Sequence, residues 1–203
     1  MGTKFSTRVW VSVVGIASIF FGSKGYADTV ISVADFGLKP DTRENAVAYV
    51  QKAIEACRGK EPVTLVFPEG RYDFWPQYAH EKNYYETNTY DVFPKRLAML
   101  FEGLHNITVD GSGSQFIMHD RIQPITVENC DGVTLKNFSI DWDIPLTAQA
   151  RVTKVGSDFF EIEINVLESP YIIEDGKLVF VGEGWKSALG SICLLYTSPS
   201  PRD

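Results

Sequence analysis

Two carboxylates flanking an indole, Asp141-Trp142-Asp143, form the group in this chain with the clearest capacity for chemistry. If the short run from Phe138 continues through them as a strand, alternation sends both Asp side chains one way and Trp142 the other. Carboxylates in that arrangement accept hydrogen bonds from hydroxyls, and an aromatic face receives the apolar side of a sugar ring. A second group lies in residues 71–96, where Trp75, Tyr78, Tyr84, Tyr85 and Tyr90 are interleaved with His80, Glu81, Asn83 and Asn88. A long loop rich in rings and amides reads as a binding surface. Asp141, Trp142, Asp143, Asn88 and Glu81 are therefore the candidate substrate-binding residues. A plainer reading stands beside each group: turn acids around a core indole for the first, rings packed back onto the fold for the second. Asp110, followed by Gly111, reads as a turn residue.

The elements that must position these groups are short strands. His105-Asn106-Ile107-Thr108-Val109-Asp110-Gly111 and Asp131-Gly132-Val133-Thr134-Leu135-Lys136-Asn137 are matching halves whose apolar-polar-apolar triplets stand 26 positions apart. Phe116-Ile117-Met118, Ile125-Thr126-Val127 and Phe138-Ser139-Ile140 follow between Gly, Asn and Asp turns. Brief strands at a period in the twenties predict an all-β chain built as a right-handed parallel β-helix. Ahead of them, Pro40 and Asp41 predict the start of a helix, with Glu44 at capping-box spacing from Asp41. Val47, Val50, Ile54 and Cys57 fall on one face of that helix and Gly59 ends it, which suits a cap over the open end of the stack. After Pro145 the texture changes. Residues 150–155, 159–164 and 177–181 alternate at period two around the polar turns Gly156-Ser157-Asp158 and Glu174-Asp175-Gly176, predicting the start of an inserted antiparallel β-barrel unit. The expected organisation is a leader over 1–27, the parallel coils over 28–147, a truncated antiparallel insertion over 148–192 and a foreign tail over 193–203.

The leader reading rests on Lys4 and Arg8 before an apolar run from Val9 to Phe21, with Gly25 and Ala27 at the positions a signal peptidase inspects. The tail Cys193-Leu194-Leu195-Tyr196-Thr197-Ser198-Pro199-Ser200-Pro201-Arg202-Asp203 is similar to one frame of a transposase-based sequencing adapter. The net charge is −7, and removal of Lys4, Arg8 and Lys24 with the leader leaves −10. An acidic, exported chain predicts no nucleic-acid partner and no membrane association after leader removal. Cys57 and Cys130 are too few for a disulfide framework and are not spaced for zinc, and no acidic run carries calcium-ligand spacing. No metal and no cofactor are expected.

Ile31-Ser32-Val33-Ala34-Asp35-Phe36-Gly37, then Gln51-Lys52-Ala53-Ile54, then Val66-Phe67-Pro68-Glu69-Gly70-Arg71-Tyr72 resembles the N-terminal signature of the pectate-lyase-like superfamily. A narrower resemblance covers about residues 28–186. Glu81, Thr87-Asn88, residues 98–103, Asn106 to Gly113, and Phe138-Ser139-Ile140-Asp141-Trp142 with Pro145 look like the bacterial exo-α-1,3-galactosidases. That resemblance implies an inverting glycosidase whose β-helix carries inserted β-barrels, whose partner is a glycan with terminal galactose, and of which this is an N-terminal fragment. Inversion needs two carboxyl groups roughly 6.5–9.5 Å apart. No acid pair in residues 28–192 has a strong claim to both roles, so the catalytic residues are unknown and expected beyond the truncation, leaving the fragment inactive. Another carbohydrate-active β-helix protein (a lyase, an epimerase or a non-catalytic glycan-binding module) remains the alternative. The oligomeric state stays open.

Overall fold

A computed structural model describes residues 29–84 and 94–188, and strands dominate them. In chain order these are β1 (Thr29–Ser32), a 3-10 turn (Val33–Phe36), α1 (Val47–Cys57), β2 (Val63–Val66), β3 (Arg71–Phe74), β4 (His80–Lys82), β5 (Lys95–Glu102) and β6 (His105–Met118). There follow β7 (Gln123–Glu128), β8 (Asp131–Trp142), β9 (Arg151–Val155), β10 (Phe160–Glu163), β11 (Tyr171–Glu174), β12 (Lys177–Val181) and β13 (Lys186–Ala188). The described residues are all-β apart from the 3-10 turn and α1.

The first eight strands stack pass upon pass, mostly in parallel. One sheet runs β1-β2-β6, with β3 and β8 also on β6; a second runs β4-β5-β7, where only the β4–β5 pair is antiparallel. The two matching triplets are in register: Ile107 opposes Val133, Thr108 opposes Thr134 and Val109 opposes Leu135. Parallel pairing at one-to-one register places like residues over like, so one column faces inward throughout. β6 is long because it serves two shorter partners. Its first half takes β2 and its second takes β3, with an irregularity between Asp110 and Ser114. Gly111 lies at this corner, where a Cβ would stand 2.5 Å from Phe138 Cβ. Among the described residues β8 has β6 as its one strand neighbour, and it leaves Leu135 and Ile140 exposed.

The inward column is a core of rings and branched side chains. Phe67, Tyr72, Phe74, Leu65, Ile107, Val109, Phe116 and Met118 are essentially solvent-free. Phe116 is the hub, with ring centroids 4.7 Å from Phe67, 4.8 Å from Phe138 and 5.6 Å from Phe74. Each such side chain contributes roughly 1.5–3 kcal/mol by leaving water. α1 covers this core through Val47, Val50, Ala53, Ile54 and Cys57, all buried.

Three expectations need correction. The helix starts at Val47, not near Asp41. Asp41 and Arg43 have φ of 61°, which a right-handed helix excludes, and Asp41 Oδ1 instead accepts from the Arg71 amide at 3.0 Å. The N-cap position of α1 is Ala46, and Asn45 just before it accepts from the Val47 amide through Oδ1 at 3.1 Å, while a capping box closes the 3-10 turn through Ser32 and Asp35. Residues 71–96 are also not one loop. Arg71-Tyr72-Asp73-Phe74 alternates charge with buried ring and forms β3, and His80–Lys82 pairs with β5. Third, Tyr171–Glu174 is a strand the alternation did not reveal; it joins β12 through a tight turn with Asp175 at φ 52° and Gly176 at φ 70°. Cys57 is buried, Cys130 half-buried, and both are free thiols.

Candidate functional site

The site forms where β3, β6 and β8 end side by side. Arg71 opposes Gln115, which opposes Ser139; Asp73 opposes Ile117, which opposes Asp141. The ladder then runs past the strand ends, since the His119 amide donates to Phe74 O at 2.9 Å and the Asp143 amide to Met118 O at 3.1 Å. Trp75, His119 and Asp143 are thereby brought to successive passes. The Trp75 and His119 rings stack at 3.9 Å and 10°.

Arg71 binds the cluster together. Its Nε donates to both oxygens of Asp73 at 3.0 Å, and its Nη2 donates to Asp73 Oδ1 at 2.5 Å and to Asp143 Oδ1 at 2.7 Å. Arg43 Nη1 stands 3.8 Å from Asp73 Oδ1 and 3.7 Å from Asp143 Oδ1. The ring of His119 lies between two acids, with Nε2 2.9 Å from Asp73 Oδ1 and Nδ1 2.7 Å from Glu183 Oε1. Burial pushes the Asp73 carboxyl up, but hydrogen bonds from Arg71 and His119, with their charges, outweigh it and hold it below the ordinary carboxylate range. Arg71 is raised by its hydrogen bond to Asp73, against a smaller opposing effect of burial.

This geometry limits the chemistry. The ligand atoms of Asp73 and Asp143 lie within 4.8 Å of one another, and both carboxylates share one guanidinium. That is closer than the roughly 6.5–9.5 Å of an inverting acid–base pair. A carboxyl held low by Arg71 also cannot keep a proton to donate near neutral pH. Asp73, His119 and Asp143 could in principle converge on a cation. Arg71 already fills the position between the two carboxylates, however, so a metal ion would have to displace a guanidinium. The cluster is a rigid charged platform with an aromatic stack at its edge, suited to holding a polar ligand.

Of the predicted residues, Asp143 alone enters this network. Trp142 is half-buried against the core and donates from Nε1 to Asp120 O at 3.2 Å, as its core reading expects. Asp141 is exposed and accepts from the Trp142 amide at 2.8 Å. Glu81 pairs with Arg96 at 3.4 Å, outside the cluster. Asn88 lies outside the described residues. Sequence pattern alone does not mark Arg71, Asp73, His119, Arg43 and Glu183 as site residues. The alternation of Arg71-Tyr72-Asp73-Phe74 was a usable signal for the first two, whereas a lone His119 offered none.

A second network lies on the other sheet. Glu102 and Glu128 are register neighbours, and Lys82 Nζ bridges them at 2.6 and 2.8 Å. Tyr84 donates its hydroxyl to Glu128. Lys82, then Tyr84, lowers the Glu128 carboxyl, and the bond to Glu128 raises the Tyr84 phenol.

Residues 148–198 match the family model of the GLAA-B beta-barrel domain I. Over most of its length the chain resembles alpha-1,3-galactosidase B. It is 61% identical over 166 residues to the protein of that name from Bacteroides thetaiotaomicron, a stretch covering 82% of this chain and 27% of the relative. An alpha-1,3-galactosidase A from Shewanella woodyi is 36% identical over 158 residues, 77% of this chain and 26% of its own length. An alpha-1,3-galactosidase B from Phocaeicola vulgatus is 36% identical over 184 residues, 89% and 29% respectively. The chain thus spans a little over a quarter of the curated relatives it matches.

Proposed function

We propose that this chain is part of an exported α-1,3-galactosidase that releases terminal galactose from glycans with inversion. The observation that carries the reading is the 61% identity over 166 residues to a protein named for that activity. In this reading residues 28–147 are coils of a right-handed parallel β-helix capped by α1, supported by the parallel registers from β1 to β8. Residues 148–192 are the start of an antiparallel β-barrel inserted after them, supported by the antiparallel pairs β9–β10 and β11–β12–β13. The Arg71–Asp73–Asp143 platform binds and orients the glycan. The acid and the base sit on coils beyond this chain, because among the described residues the close carboxylate pairs are each spanned by a cation, Asp73 and Asp143 by Arg71 and Glu102 and Glu128 by Lys82.

The test uses the intact parent protein and the 203-residue chain in parallel, on an α-1,3-linked terminal galactoside. Galactose release by the parent, with β-galactose as the first anomer seen by NMR, supports an inverting enzyme. Absence of turnover in the parent overturns the reading and favours a glycan-binding module. Turnover by the shorter chain that vanishes on Asp141→Asn or Asp143→Asn would move catalysis into the visible passes.

A further inference from the structure

We propose that the tip of the β12–β13 hairpin is a docking finger that clasps the antiparallel unit onto the parallel passes, with His119 as its receptor. The inference goes beyond the galactosidase reading and does not depend on it. The tip is Gly182-Glu183-Gly184-Trp185, closed by the Gly182 amide donating to Trp185 O at 2.9 Å. Its one acidic side chain reaches two partners on the other unit. Glu183 Oε1 meets His119 Nδ1 at 2.7 Å, and Glu183 Oε2 accepts from the Asp120 amide at 3.1 Å. A carboxylate gripping a ring nitrogen and the next backbone amide fixes both distance and orientation.

The receptor is built for this grip. His119 is 3% exposed, Trp75 lies flat against its ring, and its second nitrogen is held by Asp73. Withdrawal of Glu183 would leave Nδ1 buried without a partner, a state that costs more than the bond contributes. The backbone of the finger is shaped to the same end. Gly184 has φ +147°, and a Cβ there would stand 2.3 Å from Asp120 Oδ2. Only glycine lets the tip come this close. The Asp120 carbonyl in turn accepts from Trp142 Nε1. Glu183 is thus a positioning residue: it acts through His119, which in turn holds Asp73 at the charged platform.

The experiment measures amide hydrogen exchange and ring 1H–15N correlations of His119 in the full 203-residue chain. Glu183→Ala removes both grips, and exchange at the Asp120 amide should accelerate about tenfold or more, while the Leu65 amide on β2 keeps its rate. Glu183→Gln retains an oxygen for the Asp120 amide and presents a donor to the ring. Protection at Asp120 should then largely survive while the His119 Nδ1 resonance shifts. Gly184→Ala should reproduce the loss at Asp120 with the carboxylate intact. Unchanged Asp120 exchange in Glu183→Ala, an Nδ1 signal unmoved in both Glu183 variants, or equal acceleration at Leu65 would each overturn the clasp.

Discussion

Replacing Arg71 with Met tests whether the charged platform is a structural unit. Arg71 donates three hydrogen bonds to Asp73 and one to Asp143, and its own side chain is about a fifth exposed (21%). The Asp73 side chain is fully shielded, so without Arg71 it retains His119 as a close partner and Arg43 at 3.8 Å. Breaking a buried pair from one side leaves an uncompensated charge and costs about 3–5 kcal/mol. Residual contacts and partial exposure of Arg71 place the expectation at the lower end, about 3 kcal/mol, or roughly 6–12 °C in Tm for a chain of this size. Urea unfolding at pH 7 reads the cost directly. Arg71→Met with Asp73→Asn should be less damaging than the sum of the two singles, because the second change removes the stranded charge. The pH profile supplies an independent check. Asp73 has a depressed carboxyl in the fold, so its stabilisation is present above the unfolded value of about 3.9 and is lost as pH falls through the lower folded value. That acid-side slope should flatten in Arg71→Met. A cost below 1 kcal/mol, strictly additive singles or an unchanged acid limb would refute the reasoning.

Phe116→Ala should cost about 3–5 kcal/mol in urea unfolding, because the ring is solvent-free and central to the aromatic cluster. Cys57 should react far more slowly than Cys130 with iodoacetamide under native conditions, as peptide mapping would show; burial pushes its thiol up to about 11 and its Sγ donates to Ala53 O. Lys82→Met should lower Tm at low salt by leaving Glu102 and Glu128 as neighbouring like charges, and the loss should shrink at high salt. An equal loss at both salt concentrations would point to packing instead.

The strand pairs were legible wherever turn residues framed an alternation. Ile107-Thr108-Val109 and Val133-Thr134-Leu135 announced their register because identical patterns recur between Asn, Asp and Gly. The antiparallel strands after Pro145 announced themselves by period two. Local signals failed where a distant partner decided the outcome. Asp41 looks like a helix cap until Arg71 takes its oxygen, and that partner lies 30 positions away. β11 is an unbroken run, Tyr171-Ile172-Ile173-Glu174, with no alternation to expose it. The platform was the least legible part. Asp143 was visible beside Trp142, but Arg71, Asp73, His119 and Glu183 come from three widely separated passages, and only stacking of the passes unites them.

The corner of β6 has a consequence for how such a chain tolerates change over evolution. Ile107 pairs with Val133, a separation of 26 residues, while Ser114 pairs with Phe138, a separation of 24. Two residues are thus gained on β6 relative to β8 between Asp110 and Ser114, yet both flanking halves stay aligned with their partners. Strand halves are rigidly templated by their neighbours, whereas the corner acts as a slip joint that absorbs differences in length. Insertions and deletions can accumulate at such joints without resetting which side chains face inward. A tag or reporter peptide placed at Ser112, exposed and already in a left-handed turn conformation, would use the same freedom.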